Sequence, residues 1–127
     1  MTMKGTVIHT DPDTEYYFEE GCFILELLNT PKDPAISIAR ARVKPGVSTM
    51  RHRLSGIAER YVILQGRGRV EVGDLPPATV DPGDVVQIPP NCSQCITNVG
   101  NEDLIFLAIC TPRFTSETYH TIDHNKI

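Results

Sequence analysis

Residues 46–66 read GVSTMRHRLSGIAERYVILQG, and they decide the fold. A glycine stands at each end, and His52 and Glu59 lie seven residues apart between them. Alternate residues of a strand face the same way, so His52 and Leu54 share one face, and Glu59, Tyr61 and Ile63 share another. With residues 55–58 as the connection, the stretch reads as a β-hairpin whose two strands present His52 and Glu59 to one apolar cavity. An imidazole and a carboxylate converging in such a cavity make half of a metal site.

Outward from this stretch, ten prolines and nine glycines cut the chain into short pieces. Between them lie β-rich or alternating runs at 7–9, 22–28, 35–43, 60–64, 69–72, 85–88, 95–97 and 104–111. Many short strands separated by Pro/Gly turns indicate a sandwich or barrel. Asp81-Pro82-Gly83-Asp84 carries proline and glycine at the central positions of a type II turn. No linker divides the 127 residues, which suit one domain with a real core.

Two motifs resemble those of the cupins. The first cupin motif runs Gly, five residues, His-x-His, three or four residues, Glu, six residues, Gly. Gly46, His52, Glu59 and Gly66 fall in place, and Leu54 replaces the second histidine. The second runs Gly, five residues, Pro-x-Gly, two residues, His, three residues, Asn. In GDVVQIPPNCSQCITN, residues 83–98, Gly83, Pro89 and Asn98 match, while Asn91 replaces the glycine and Gln94 the histidine. The resemblance implies one all-β cupin domain over residues 1–127, a double-stranded β-helix or jelly-roll barrel. It also implies a homodimer, with the N-terminal strand adding to the neighbour's sheet.

The resemblance places His52, Glu59 and Gln94 as metal ligands. Leu54, Tyr61, Ile63, Ile96 and Cys110 are the expected walls of a small-molecule pocket. The implied ion is divalent: iron, manganese, zinc, nickel or copper. Its donors would be one imidazole, one carboxylate and one neutral amide, short of a 2-His-1-carboxylate triad. Three functions follow from these residues. One is a metal-dependent dioxygenase, isomerase or lyase. Another is a metal-free module that binds or senses a small ligand through hydrogen bonds. Between them stands a metal-free enzyme with His52 as general base and Glu59 orienting it. A plain buried His52–Glu59 pair is the bland alternative, but apolar replacements of such pairs are often neutral or stabilising.

The remaining expectations are brief. Net charge is −4 and no basic cluster appears, which argues against nucleic acid. No apolar run reaches the roughly 18 residues of a membrane-spanning helix, and the N-terminus lacks an apolar signal core, so a cytoplasmic setting is expected. Cys22, Cys92, Cys95 and Cys110 are expected to be free thiols. Cys92-x-x-Cys95 has no second ligand pair to complete a zinc site. Cys110 reads as a small core residue, with a cavity-facing thiol as the alternative. Arg40 faces either the barrel, where it would meet a carboxylate, or solvent, and Arg51, Arg53 and Arg60 face away from the cavity. Residues 115–124 read as a short helix or ordered coil carrying His120 and His124 on one face.

Overall fold

A computed structural model describes residues 3–122. Among the described residues, eleven strands form two antiparallel sheets. They are β1 (Tyr16–Phe18), β2 (Cys22–Leu28), β3 (Ser37–Val43), β4 (His52–Leu54), β5 (Ala58–Gln65), β6 (Gly68–Val72), β7 (Ala78–Val80), β8 (Val85–Ile88), β9 (Gln94–Asn98), β10 (Leu104–Thr111) and β11 (Tyr119–Thr121). One sheet has the order β1-β2-β3-β10-β5-β8, and the other β11-β4-β9-β6-β7. The fold is the all-β double-sheet jelly roll that the motifs imply.

Alternation explains which residues go inside. Glu59, Tyr61 and Ile63 are buried on β5, and Gly68, Val70 and Val72 on β6, with exposed or half-buried residues between them. Val43, Ile63, Ile96, Leu104 and Phe106 meet between the sheets in the main core. The chain passes close to itself at Gly66. Its φ is +84°, and a β-carbon there would lie 2.8 Å from the Asp103 carbonyl oxygen. Only glycine fits both the left-handed backbone and the contact.

The hairpin expected around residues 55–58 does not form. β4 belongs to the five-stranded sheet, where His52 pairs with Gln94 on one side and Thr121 on the other. β5 belongs to the six-stranded sheet, between β10 and β8. The connection crosses from one sheet to the other, with Ile57 buried and Gly56 at φ +71°. Alternation fixes the face a residue presents but not the neighbour its strand chooses. His52 and Glu59 therefore face each other's sheets across the interior.

Two terminal segments also differ. Residues 7–9 have no sheet partner, and Val7 and Ile8 are exposed. Residues 115–122 hold a 3-10 turn, Ser116–Thr118, and strand β11, which pairs with β4. Pairing with an open sheet edge outweighs the weak helix propensity of this tail. His120 is exposed, and His124 lies outside the described residues.

Candidate functional site

The cavity lies between the sheets at the end where β1, β2, β4 and β11 approach β5 and β10. His52, Leu54, Glu59, Tyr61 and Cys110 line it, as expected from the strand faces. Ile63 and Ile96 do not. They lie further along β5 and β9, where the sheets close on each other and fill with hydrocarbon. Periodicity marks the inward face of a strand but not where along it the interior turns from packed to hollow.

Glu59 is buried in the wall of the cavity. Burial raises its pKa from 4.5 to about 7, against the opposing pull of a hydrogen bond from Gln94 and the nearness of His52. Its Oε1 accepts from Gln94 Nε2 at 2.7 Å, and the Cys110 thiol points at its Oε2 from 3.7 Å. Burial also pushes the Cys110 and Tyr61 groups up, with Glu59 adding to each shift. Cys110 thus faces the cavity as a protonated thiol, a poor nucleophile.

Gln94 does not line the cavity. Its amide oxygen accepts a short hydrogen bond from the Tyr61 hydroxyl, and its amide nitrogen holds Glu59. Both ends of the amide are engaged, and the side chain forms a strut from β9 of one sheet to β5 of the other. Because this bond favours the Glu59 carboxylate, Gln94→Leu is expected to raise the Glu59 pKa further above 7. Carboxyl carbon NMR across a pH titration reads this directly, and a midpoint that stays or falls contradicts the strut.

His52 is buried, and its Nδ1 lies 2.8 Å from the Met50 carbonyl oxygen and 3.5 Å from Glu20 Oε2. A carbonyl oxygen only accepts, so the neutral ring carries its proton on Nδ1, leaving the lone pair on Nε2. The ring stacks on Tyr119, with centroids 4.9 Å apart. Its nearest carboxylate among the described residues is Glu20, and no ion pair joins it to Glu59.

The first hairpin supplies much of what the sequence did not point to. Phe18 and Glu20, then Ile24 and Glu26, line the cavity from β1, the turn and β2. The Glu20 carbonyl accepts the Met50 N–H at 2.7 Å, which anchors this turn beside the imidazole. Gly21 marked a reversal in the sequence, and alternation from Cys22 would have placed Glu26 on the inner face. Nothing distinguished Glu20. The cavity opens into a vestibule that shares Phe18, Glu20, Phe114 and Tyr119 and adds Glu19, Met50, Arg113 and Glu117.

Arg40, Arg42, Arg51 and Arg60 lie elsewhere. Arg40 and Arg42 bond Glu15 on the outer face of the six-stranded sheet. Arg51 pairs with Glu71, and Arg60 donates to Thr111. All four cysteines are free. No described helix is long and apolar enough to cross a membrane.

The donor set for a metal is thin. Leu54 is hydrocarbon, the Gln94 amide is engaged within the protein, and among the described residues no three His, Cys, Asp or Glu side chains gather as a metal cluster. A catalytic zinc site takes three protein ligands and keeps one position open. One imidazole and one carboxylate raised toward neutrality do not meet that requirement.

Comparison with known proteins agrees with the fold. The family model for the cupin domain matches residues 39–110. An uncharacterized protein of Methanocaldococcus jannaschii is 34% identical over 119 residues, covering 92% of this chain and 94% of that protein. A glucose-6-phosphate isomerase of Pyrococcus furiosus is 39% identical over 69 residues, which span 51% of this chain and 36% of the enzyme. Among solved structures, a Thermotoga maritima protein described as a predicted oxalate decarboxylase superposes with a TM-score of 0.75 at 27% identity, over 84% of this chain and 99% of that one. The Streptomyces nucleoside dehydratase Pac13 gives a TM-score of 0.75 at 14% identity over 92% of each chain, a likeness of fold alone.

Proposed function

The chain belongs to the cupin family, and from that premise we propose that its cavity carries out metal-independent proton transfer on a small organic molecule, a reaction of the isomerase or lyase kind. The observation that carries this reading is the state of Glu59: buried, raised to about pH 7, and sharing a cavity with His52. An enclosed carboxyl raised toward neutrality beside an imidazole is suited to acid–base catalysis.

Their roles follow from their partners. His52 has its Nδ1 proton committed to the Met50 carbonyl, so Nε2 is the base. It takes a proton from a carbon next to a carbonyl, and the C–H electron pair moves into the carbon framework. Glu59 gives its proton to the oxygen where charge then collects, either a carbonyl or a departing hydroxyl. Gln94, itself held by the Tyr61 hydroxyl, keeps the carboxyl in place through the transfer. The apolar walls keep out bulk water. The stretch shared with a glucose-6-phosphate isomerase favours the isomerase side of this pairing. The donor set described above does not suit a resident metal, and no step is assigned to one.

The test is proton NMR in D2O with a panel of small hydroxy- and amino-carbonyl compounds, using protein dialysed against EDTA. Carbon–deuterium exchange or turnover is expected to survive the chelator. It is expected to fall by about 10²–10⁴-fold in Glu59→Gln. Activity that vanishes with EDTA and returns with added manganese or zinc would replace this reading with metal-dependent chemistry.

A further inference from the structure

We propose that the ligand of this cavity is a small organic cation bearing an alkylated ammonium group. This deepens the acid–base reading of the same cavity by naming the class of molecule it takes.

Two independent features of the lining point to a positive charge. The first is aromatic. Tyr16, Phe18, Tyr61, Phe106, Phe114 and Tyr119 all contribute to the walls. Phe18 and Tyr119 meet edge to face with centroids 5.2 Å apart, and Tyr61 and Phe106 are tilted at 4.4 Å. Aromatic faces attract a cation through the ring quadrupole, and cages of such rings are a common way to bind ammonium groups that have lost their N–H donors.

The second is the polarity of the remaining lining. Glu20, Glu26 and Glu59 supply carboxyl groups, and among the described residues no lysine or arginine lines the cavity. An anionic ligand would find no lysine or arginine there, and His52 as its single basic side chain among the described lining residues. The Asn29 Oδ1 atom is buried without a hydrogen-bond partner, and it too is an acceptor. A buried acceptor left without a donor costs free energy, which a hydroxyl elsewhere on the ligand, as in choline, recovers; the alkylated nitrogen itself has no N–H to give. The approach has the same character. In the vestibule Arg113 shares the wall with Glu19, Glu20, Glu26 and Glu117, four carboxylates against one guanidinium among the described lining residues. Such a mouth raises the local concentration of cations.

A bare metal ion would satisfy the charge but gain little from hydrocarbon and ring faces. The aromatic share of the lining is what selects an organic cation over an inorganic one.

The experiment is calorimetric and NMR titration of the full-length protein with choline, tetramethylammonium and the uncharged isostere 3,3-dimethylbutan-1-ol. Choline is expected to saturate a single site and to bind about tenfold tighter than the neutral alcohol. Calcium and potassium chloride at equal ionic strength are expected not to displace it. Glu26→Gln removes one exposed carboxylate from the cavity wall, and Tyr119→Leu removes a ring. Each is expected to weaken choline by roughly three- to tenfold while leaving the alcohol unaffected. Equal or tighter binding of the alcohol would overturn the proposal, as would displacement by calcium or no saturable binding of either ammonium compound. Binding needs no turnover. If choline binds but no carbon acid exchanges in the presence or absence of Glu59, the ligand class stands and the proton-transfer reading falls. If exchange depends on Glu59 but only uncharged compounds bind, the reverse holds.

Discussion

Glu59→Gln is expected to make the protein more stable than wild type by about 3 kcal/mol at about pH 8, and to leave it nearly unchanged at about pH 4. The carboxyl has a pKa of about 7 when folded, against 4.5 for the unperturbed group. Below 4.5 both the folded and unfolded chains hold the proton, and nothing varies with pH. Between 4.5 and 7 the unfolded chain releases its proton while the folded chain keeps it. The folded state then binds more protons, so stability falls as pH rises, by up to about 1.4 kcal/mol per pH unit. Above 7 the folded carboxylate is charged in a dry cavity, and the full penalty of about 3 kcal/mol is in place. Glutamine never ionises and escapes it. Urea unfolding of both proteins at several pH values measures the difference, in which other titrating groups largely cancel. A gap that does not widen between pH 5 and pH 8 would show that Glu59 is not raised. The same substitution removes the acid of the proposed reaction, so stability and activity should move in opposite directions, as they do where a site holds a strained or desolvated group.

Asn98→Ala is expected to destabilise the fold by about 3 kcal/mol, because it strands several buried backbone groups together. Asn98 is 1% exposed. Its Nδ2 donates to the Val43 carbonyl at 2.9 Å and to the Glu102 carbonyl at 2.8 Å, while its Oδ1 accepts from the Gly100 N–H at 2.9 Å. One side chain thus ties the end of β3 to the turn between β9 and β10. Alanine supplies none of the three bonds and admits little water in their place. Asn98→Asp keeps the acceptor and loses both donors, so it should be nearly as damaging. A urea midpoint within error of wild type for Asn98→Ala would mean that solvent reaches these carbonyls.

Asn98 and Gly66 show why the fold was legible. Each answers a local backbone demand, a triple hydrogen bond in one case and a positive φ with a 2.8 Å contact in the other. Such demands admit few residue types, so spacing alone exposes them. The inward faces of β5, β6 and β10 were legible for a similar reason, since burial on a strand imposes a period of two. The placement of β4 was not. His52 and Leu54 alternate in the same way whether their strand pairs with β5 or with β9 and β11, and the choice is made by residues far off in the chain. Gln94 shows a further limit. Its position matched a ligand of the family pattern, but its hydrogen-bond partners depend on Tyr61 of the opposite sheet. Glu20 carried no pattern, because a turn residue becomes part of the cavity only when the hairpin folds over it.

The split of His52 and Glu59 between two sheets has a mechanical consequence. The interval between these two side chains, the base and acid of the proposed reaction, is not set by a loop or a hairpin but by how far the sheets stand apart, roughly 10 Å in packed sandwiches. Ile63, Ile96 and Phe106 of the core between the sheets hold that gap, as spacers between the jaws of a caliper. Interiors this dense compress very little. The separation of His52 and Glu59 is therefore machined by hydrocarbon, and trimming a spacer is expected to shorten or tilt it without altering either side chain.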